Sequence, residues 1–147
     1  MEQRPKLGLA LGSGRARGWA HLGVLSVLEE MGLRADIIAG CSMGALVGAA
    51  EAGGVRDQLE DWARDLTQAS FLRMVDLRLS AGGLVAGREI ASVLGQWGLD
   101  CDIGDLDIPF PAVATNLENG REVWLDSGPL LPAVRASPGT ARAGGPR

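Results

Sequence analysis

Short apolar runs alternate with amphipathic stretches through the first half of the chain, and a glycine-rich break ends each run. Leu7, Leu9 and Leu11 lie in a run that stops at Gly12-Ser13-Gly14-Arg15-Ala16-Arg17-Gly18, which predicts a buried strand entering a loop. From Trp19 to Met31 the apolar residues Ala20, Val24, Val27, Leu28 and Met31 recur three and four apart, and Gly32 follows where a helix-ending glycine belongs. A second run, Asp36-Ile37-Ile38-Ala39, stops at Gly40-Cys41-Ser42-Met43-Gly44, and small helix formers then extend from Ala45 to Ala52 before Gly53-Gly54. Val55 to Leu66 continues as a predicted helix with Leu59, Trp62, Ala63 and Leu66 on one face. Strand, glycine turn and helix, twice in succession, argue for parallel strands with crossover helices, an α/β architecture.

The second half is less regular. Leu77 to Gly87, with Gly82, Gly83 and Gly87, predicts a loop, and a helical period resumes from Arg88 to Trp97 through Ile90, Val93, Leu94 and Trp97. Phe110 to Thr115 and Glu122 to Leu125 are β-prone runs flanking Asn119-Gly120, a hairpin-turn dipeptide, so a β-hairpin is expected there. Pro129 to Ala136 predicts a short helix, and Ser137 to Arg147 is a Gly, Pro, Ala and Arg tail without an apolar period. No internal repeat or linker divides the 147 residues, a length that suits one domain.

Composition narrows the classes. The chain is 46% hydrophobic and 22% charged, the balance of a folded globular protein. Its net charge of −4 gives no basic footprint for a phosphate backbone, so no nucleic-acid partner is expected. Cys41 and Cys101 form neither a disulfide framework nor a metal-ligand spacing, which predicts reduced thiols, a cytoplasmic setting, no metal and no cofactor. The apolar run Leu7 to Leu11 is too short for a signal-peptide core or a membrane span.

The chemistry concentrates at Gly40-Cys41-Ser42-Met43-Gly44, a Gly-x-Ser-x-Gly match between a predicted strand and a predicted helix. In such an elbow the serine sits in a strained backbone conformation at a helix N-terminus, where free amides and the helix dipole favour developing negative charge. Gly40 and Gly44 leave room for strand and helix to pass closely, with Cys41 and Met43 flanking the serine. A Gly-, Ser- and Ala-rich turn that only packs a helix on a strand is the plainer reading. An activated serine needs a base, and the single histidine, His21, lies in the first helix, ahead of Ser42. Triad hydrolases with this elbow place their histidine last, so His21 reads as structural and a carboxylate becomes the expected base. The Gly12 to Gly18 loop offers backbone amides for an oxyanion. Arg15 and Arg17 would add positive charge there; for Arg15 a solvent-facing loop role is the favoured reading.

The stretch Leu9 to Val24, containing Gly12-Ser13-Gly14-Arg15-Ala16-Arg17-Gly18 and Ala20-His21-Leu22-Gly23, together with Ala39 to Ala45, resembles the bacterial patatin-like phospholipase family, especially its RssA-type members. The similarity takes in Gly82-Gly83-Leu84, Ala112 to Asn116 and Ala133-Val134-Arg135-Ala136-Ser137, from about Lys6 to about Gly139. It implies a three-layer α/β/α sandwich with a mainly parallel sheet, and hydrolysis of lipid acyl esters by a Ser/Asp dyad without histidine. Carried over, Ser42 matches the nucleophile, and the oxyanion loop falls on Ser13, Gly14, Arg15, Arg17 and Gly18, where Ser13 and Arg15 replace family glycines. A lipid or other acyl-ester substrate, and with it peripheral membrane contact, is what the resemblance implies.

The family's aspartate stands in Asp-Gly-Gly or Asp-Gly-Ala after the Arg-Ala-Ser segment, and no Asp follows Ser137 here. Asp126 precedes that segment and is followed by Ser127-Gly128, so it does not match. The expectation is an acyl hydrolase domain over residues 1–139, C-terminally truncated, with 140–147 a non-homologous tail. Two other readings stay beside it. One is a catalytically inactive remnant. The other is a dinucleotide-binding module, suggested by Gly12-x-Gly14 but opposed by the position of Gly18 and by Asp36 opening, rather than closing, the second strand.

Overall fold

The computed structural model describes residues 4–66, 90–137 and 140–141. The loop expected from Leu77 to Gly87, the start of the helix at Arg88 and the tail from Arg142 onward lie outside the described residues.

The first apolar run forms β1 (Gly8–Leu11) and the second forms β2 (Ile37–Cys41), paired in parallel with Leu11 opposite Gly40. Between them runs α1 (Ala20–Glu30), preceded by a 3-10 turn, Arg15–Trp19, where a loop was expected. Gly32 closes α1 at φ 72, with the Gly32 and Leu33 amides donating back to the carbonyls of Glu29 and Leu28. After β2 come α2 (Met43–Ala52) and α3 (Arg56–Asp65). Residues 90–94 are helical and pass into a wider turn at Gly95–Leu99.

β3 (Ala112–Asn116) pairs in parallel with β2, and β4 (Glu122–Leu125) returns antiparallel beside β3. The expected hairpin is present but its turn is wider than two residues. Asn116 and Asn119 accept from the amides of Glu118 and Arg121 through their side chains, and only Gly120 takes positive φ. The helix α4 (Leu130–Ala136) follows, and then β5 (Thr140–Ala141), whose two residues pair in parallel with Thr115 and Asn116 of β3. The sheet order is β1-β2-β3-β4, with β5 on β3. The fold is α/β with a mostly parallel sheet.

Helix α2 packs on one face of β1 and β2, with α1 and α3 beside it. That face carries Leu11, Ile38, Gly40, Ala112 and Ala114, all buried, and α2 lies on it. Every α2 residue except Glu51 is buried, as befits a helix apolar all round. A Cβ at Gly48 would stand 2.8 Å from the Phe110 ring, so small residues set the depth at which α2 settles. The apolar face expected for α1 is a correction. Leu22 and Leu25 are the buried residues, whereas Val24, Val27 and Met31 are 52–65% exposed among the described residues. Arg56, at the start of α3, meets Glu29 of α1 and Glu51 of α2 and ties the three helices together.

Candidate active site

Strand β2 is short, with Ile38 and Gly40 buried, and a single residue separates its end from the start of α2, so the chain must reverse within Ser42. Ser42 takes φ 56 and ψ −116, the one non-glycine residue with positive φ among those described. Such a conformation costs about 1–3 kcal/mol and persists only where its surroundings fix it. The surroundings are backbone. A Cβ at Gly40 would stand 2.3 Å from the Gly44 carbonyl oxygen and 2.7 Å from Ala45 Cα. One at Gly44 would stand 1.9 Å from the Leu11 carbonyl oxygen and 2.7 Å from that of Gly12. Both glycines are therefore required by the close passage of α2 over the ends of β1 and β2.

The Ser42 carbonyl accepts from the amides of Ala45 and Leu46, at 3.0 and 3.2 Å, and so opens α2. The amides of Met43 and Gly44 have no carbonyl one turn earlier within that helix, which makes this end electropositive. Cys41 and Ser42 are half-buried, and Met43 is buried.

The 3-10 turn folds the glycine loop back onto the elbow. A Cβ at Gly18 would lie 2.3 Å from Met43 Cβ, and one at Gly14 would lie 2.8 Å from the Gly18 amide nitrogen. Ser13 is exposed and Gly14 half-buried, while Arg15 contributes backbone to the turn. The Arg17 amide donates to the Gly14 carbonyl at 3.0 Å. It is thus engaged within the loop, which corrects its expected place among the free oxyanion donors; the Arg17 side chain is exposed. The loop is also held from α1. His21 Nε2 lies 2.9 Å from the Gly12 carbonyl oxygen, and since a carbonyl only accepts, Nε2 donates. Trp19 stacks edge-on to Trp62, and Trp62 to Trp97, which packs the end of the turn against α3 and the 95–99 segment.

One contact to the elbow comes from the Arg-Ala-Ser segment, which the resemblance took in without assigning Ser137 a role. Ser137, buried just after α4, accepts the Ser42 amide on its Oγ at 2.8 Å and donates to the Val113 carbonyl at 2.5 Å. The two serines are 95 residues apart, and no local pattern connects them.

Two carboxylates among the described residues, Asp126 and Asp36, stand elsewhere. β4 runs opposite to β3 with Leu125 level with Ala112, so Asp126 lies roughly 10 Å down the sheet and about 10 Å across it from the Ser42 end. Asp36 is at the other end of β2, where its carboxylate accepts from the Leu7 amide at 2.7 Å and from Arg4 at 2.8 Å. The Leu7 amide bond, with the Arg4 guanidinium behind it, holds the Asp36 carboxyl below its usual range. A carboxylate so occupied pins the starts of β1 and β2 together and leaves little for a ribose, which weighs against dinucleotide binding.

Residues 9–141 match the family model described as patatin-like phospholipase. An NTE family protein of Mycobacterium bovis is 45% identical over 133 residues, covering 90% of this chain and 37% of its own length, and one of Mycobacterium tuberculosis matches equally. The neuropathy target esterase sws of Drosophila melanogaster is 32% identical over 136 residues, or 89% of this chain and 10% of its own. The chain therefore spans little more than a third of the mycobacterial relatives.

Proposed function

This chain belongs to the patatin-like phospholipase family, and from that premise we propose that it carries the nucleophile and oxyanion half of a serine acyl hydrolase site acting on lipid esters. The observation that supports this best is Ser42 at φ 56 between β2 and α2, in a turn whose flanking glycines are fixed by main-chain contacts. Ser42 Oγ would attack the acyl carbonyl carbon, and the amides at the start of α2 and in the Ser13 to Gly18 loop would take the charge on the carbonyl oxygen. Gly14 and Arg15, whose amides precede the first bond of the 3-10 turn, are the proposed loop donors, with Gly18 set directly against Met43.

The hydroxyl proton goes to a carboxylate in this reading, as in a Ser/Asp dyad. His21 is given no part in proton transfer, because its Nε2–H is directed at the Gly12 carbonyl. No aspartate of the sequence stands in an Asp-Gly-Gly or Asp-Gly-Ala setting, so the proposal assigns the nucleophile here and the base to no residue of this chain. The relatives named as an esterase and as NTE family proteins favour an ester substrate, met by peripheral contact with a lipid surface. The unpaired Cys41 and Cys101 favour the cytoplasm.

The test is hydrolysis of a short acyl ester together with covalent capture by a fluorophosphonate, in the natural full-length protein. The label is expected on Ser42, and Ser42→Ala should lower kcat by on the order of 10³-fold or more while the melting temperature stays put. Turnover that survives Ser42→Ala would sink the proposal.

A further inference from the structure

The parallel ladder between β2 and the strand beside it advances two residues per rung. The Ile38 amide donates to the Pro109 carbonyl at 3.0 Å, and the Gly40 amide to the Pro111 carbonyl at 3.1 Å. The next rung by that progression would join the Ser42 amide to the Val113 carbonyl. It is not made directly. The Ser42 amide donates to Ser137 Oγ, and the Ser137 hydroxyl donates onward to the Val113 carbonyl. A side-chain hydroxyl has been inserted into the ladder at the residue where β2 leaves the sheet.

The rest of the fold agrees with that insertion. β4 holds the far edge of β3 from Ala112 to Thr115, so β5, which pairs with Thr115 and Asn116, takes the edge that β2 gives up at the elbow. Ser137 stands at the join, 6% exposed, with its own amide bonded to the Ala133 carbonyl at 3.2 Å. A hydroxyl suits the position because one small atom must accept from an amide and donate to a carbonyl at once.

We propose that Ser137 is a positioning residue for the Ser42 nucleophile: its hydroxyl replaces the last β2–β3 rung and holds the Cys41–Ser42 peptide at the angle from which Ser42 turns to positive φ. The inference rests on Ser42 being the nucleophile. With that peptide plane clamped to β3, the Ser42 Cα–Cβ direction is fixed relative to the sheet and to the loop at Gly18. Without the hydroxyl the Ser42 amide is left unpaired or drops onto the Val113 carbonyl, and either change re-aims Oγ. The role is reached through the backbone, with no contact to substrate.

Ser137→Ala, Ser137→Cys and Ser137→Thr in the natural full-length protein, beside wild type and Ser42→Ala, test it. Ester turnover, the rate of fluorophosphonate capture at Ser42, and hydrogen exchange of the Ser42 amide are the three readouts. For Ser137→Ala, kcat and capture rate should each fall roughly 10- to 100-fold, the cost of a misplaced reacting group. KM should stay within about threefold, and the Ser42 amide should exchange faster. Ser137→Thr keeps the hydroxyl and should recover most of the rate. Ser137→Cys, close in size but weak as donor and acceptor, should fall between the two, and it supplies the same reading if the alanine variant does not fold.

Wild-type rates of turnover and capture in folded Ser137→Ala or Ser137→Cys would overturn the proposal, as would a threonine variant no better than alanine. A wild-type protein that is neither active nor labelled at Ser42 would instead remove the nucleophile assignment, and this role with it.

Discussion

The two glycine-rich turns that meet at the candidate site are held in different ways. At the elbow, Cβ atoms built on Gly40 and Gly44 run into main-chain atoms of Ala45, Leu11 and Gly12, which cannot move without moving the sheet. In the loop, Gly12 has open space where a Cβ would go, whereas Gly18 faces Met43 Cβ at 2.3 Å, an atom that the α2 backbone fixes and no rotamer change moves. The Gly14 contact is internal to the loop, with Gly18. The elbow is thus fixed by the layers of the fold at both glycines, whereas the loop is seated closely only at Gly18 and its Gly12 end is open and tethered by His21. Motif spacing makes the two turns look alike, and packing separates them.

Gly44→Ala should break that comparison hardest. Its methyl group would sit 1.9 Å from the Leu11 carbonyl oxygen, so either α2 lifts or β1 is displaced. Overpacking against backbone costs about 3 kcal/mol, equal to roughly 10 °C of melting temperature for a chain of this length. Ester turnover should go with it, because α2 carries the elbow amides. Thermal melts and turnover on the same preparation check both, and a melt within about 2 °C of wild type would mean that the end of β1 yields easily.

The elbow could be read from sequence because its requirements fall within five consecutive residues, with a strand pattern before Gly40 and a helix pattern after Gly44. What holds it could not. Ser137 lies 95 residues from Ser42, and its two hydrogen bonds follow from where α4 ends in space. The face of α1 was misassigned for a different reason. Leu22 and Leu25 obey a helical spacing as well as Val24, Val27 and Met31 do, so periodicity could not choose between stripes, and contact with the neighbouring layer did. The Arg17 amide was lost to the oxyanion set because glycine-rich sequence does not distinguish an open loop from a 3-10 turn that uses its own donors.

His21→Ala sharpens the comparison from the loop side, with a smaller effect. It removes one half-exposed hydrogen bond to the Gly12 carbonyl, worth about 1 kcal/mol net. Turnover should stay within roughly 10-fold of wild type, the remaining rate reflecting a looser loop with the nucleophile intact. Stopped assays from pH 5 to 9 add the decisive detail, since a histidine base would imprint its own limb on kcat/KM and alanine would erase it. A loss as deep as that of Ser42→Ala would return His21 to the chemistry and make the loop as rigid a partner as the elbow.

Gly12→Ala should do least, although Gly12 opens the glycine-rich segment. No heavy atom lies within 4 Å of a Cβ built there, its φ is not in the left-handed region, and it is exposed. Alanine keeps the carbonyl that receives His21 and the amide beside Ser13, so neither the tether nor the candidate donors are altered. It also narrows the unfolded ensemble, which at a compatible site stabilises by about 0.4–1 kcal/mol. The expected outcome is a melting temperature unchanged or up by a few degrees and turnover within about twofold of wild type. A marked loss of turnover with the melt intact would show that the space beside Gly12 is needed by the acyl ester itself. Gly12 would then join Gly40 and Gly44 as a glycine kept for close approach, and the distinction between the two turns would lie in what approaches them, substrate at one and backbone at the other.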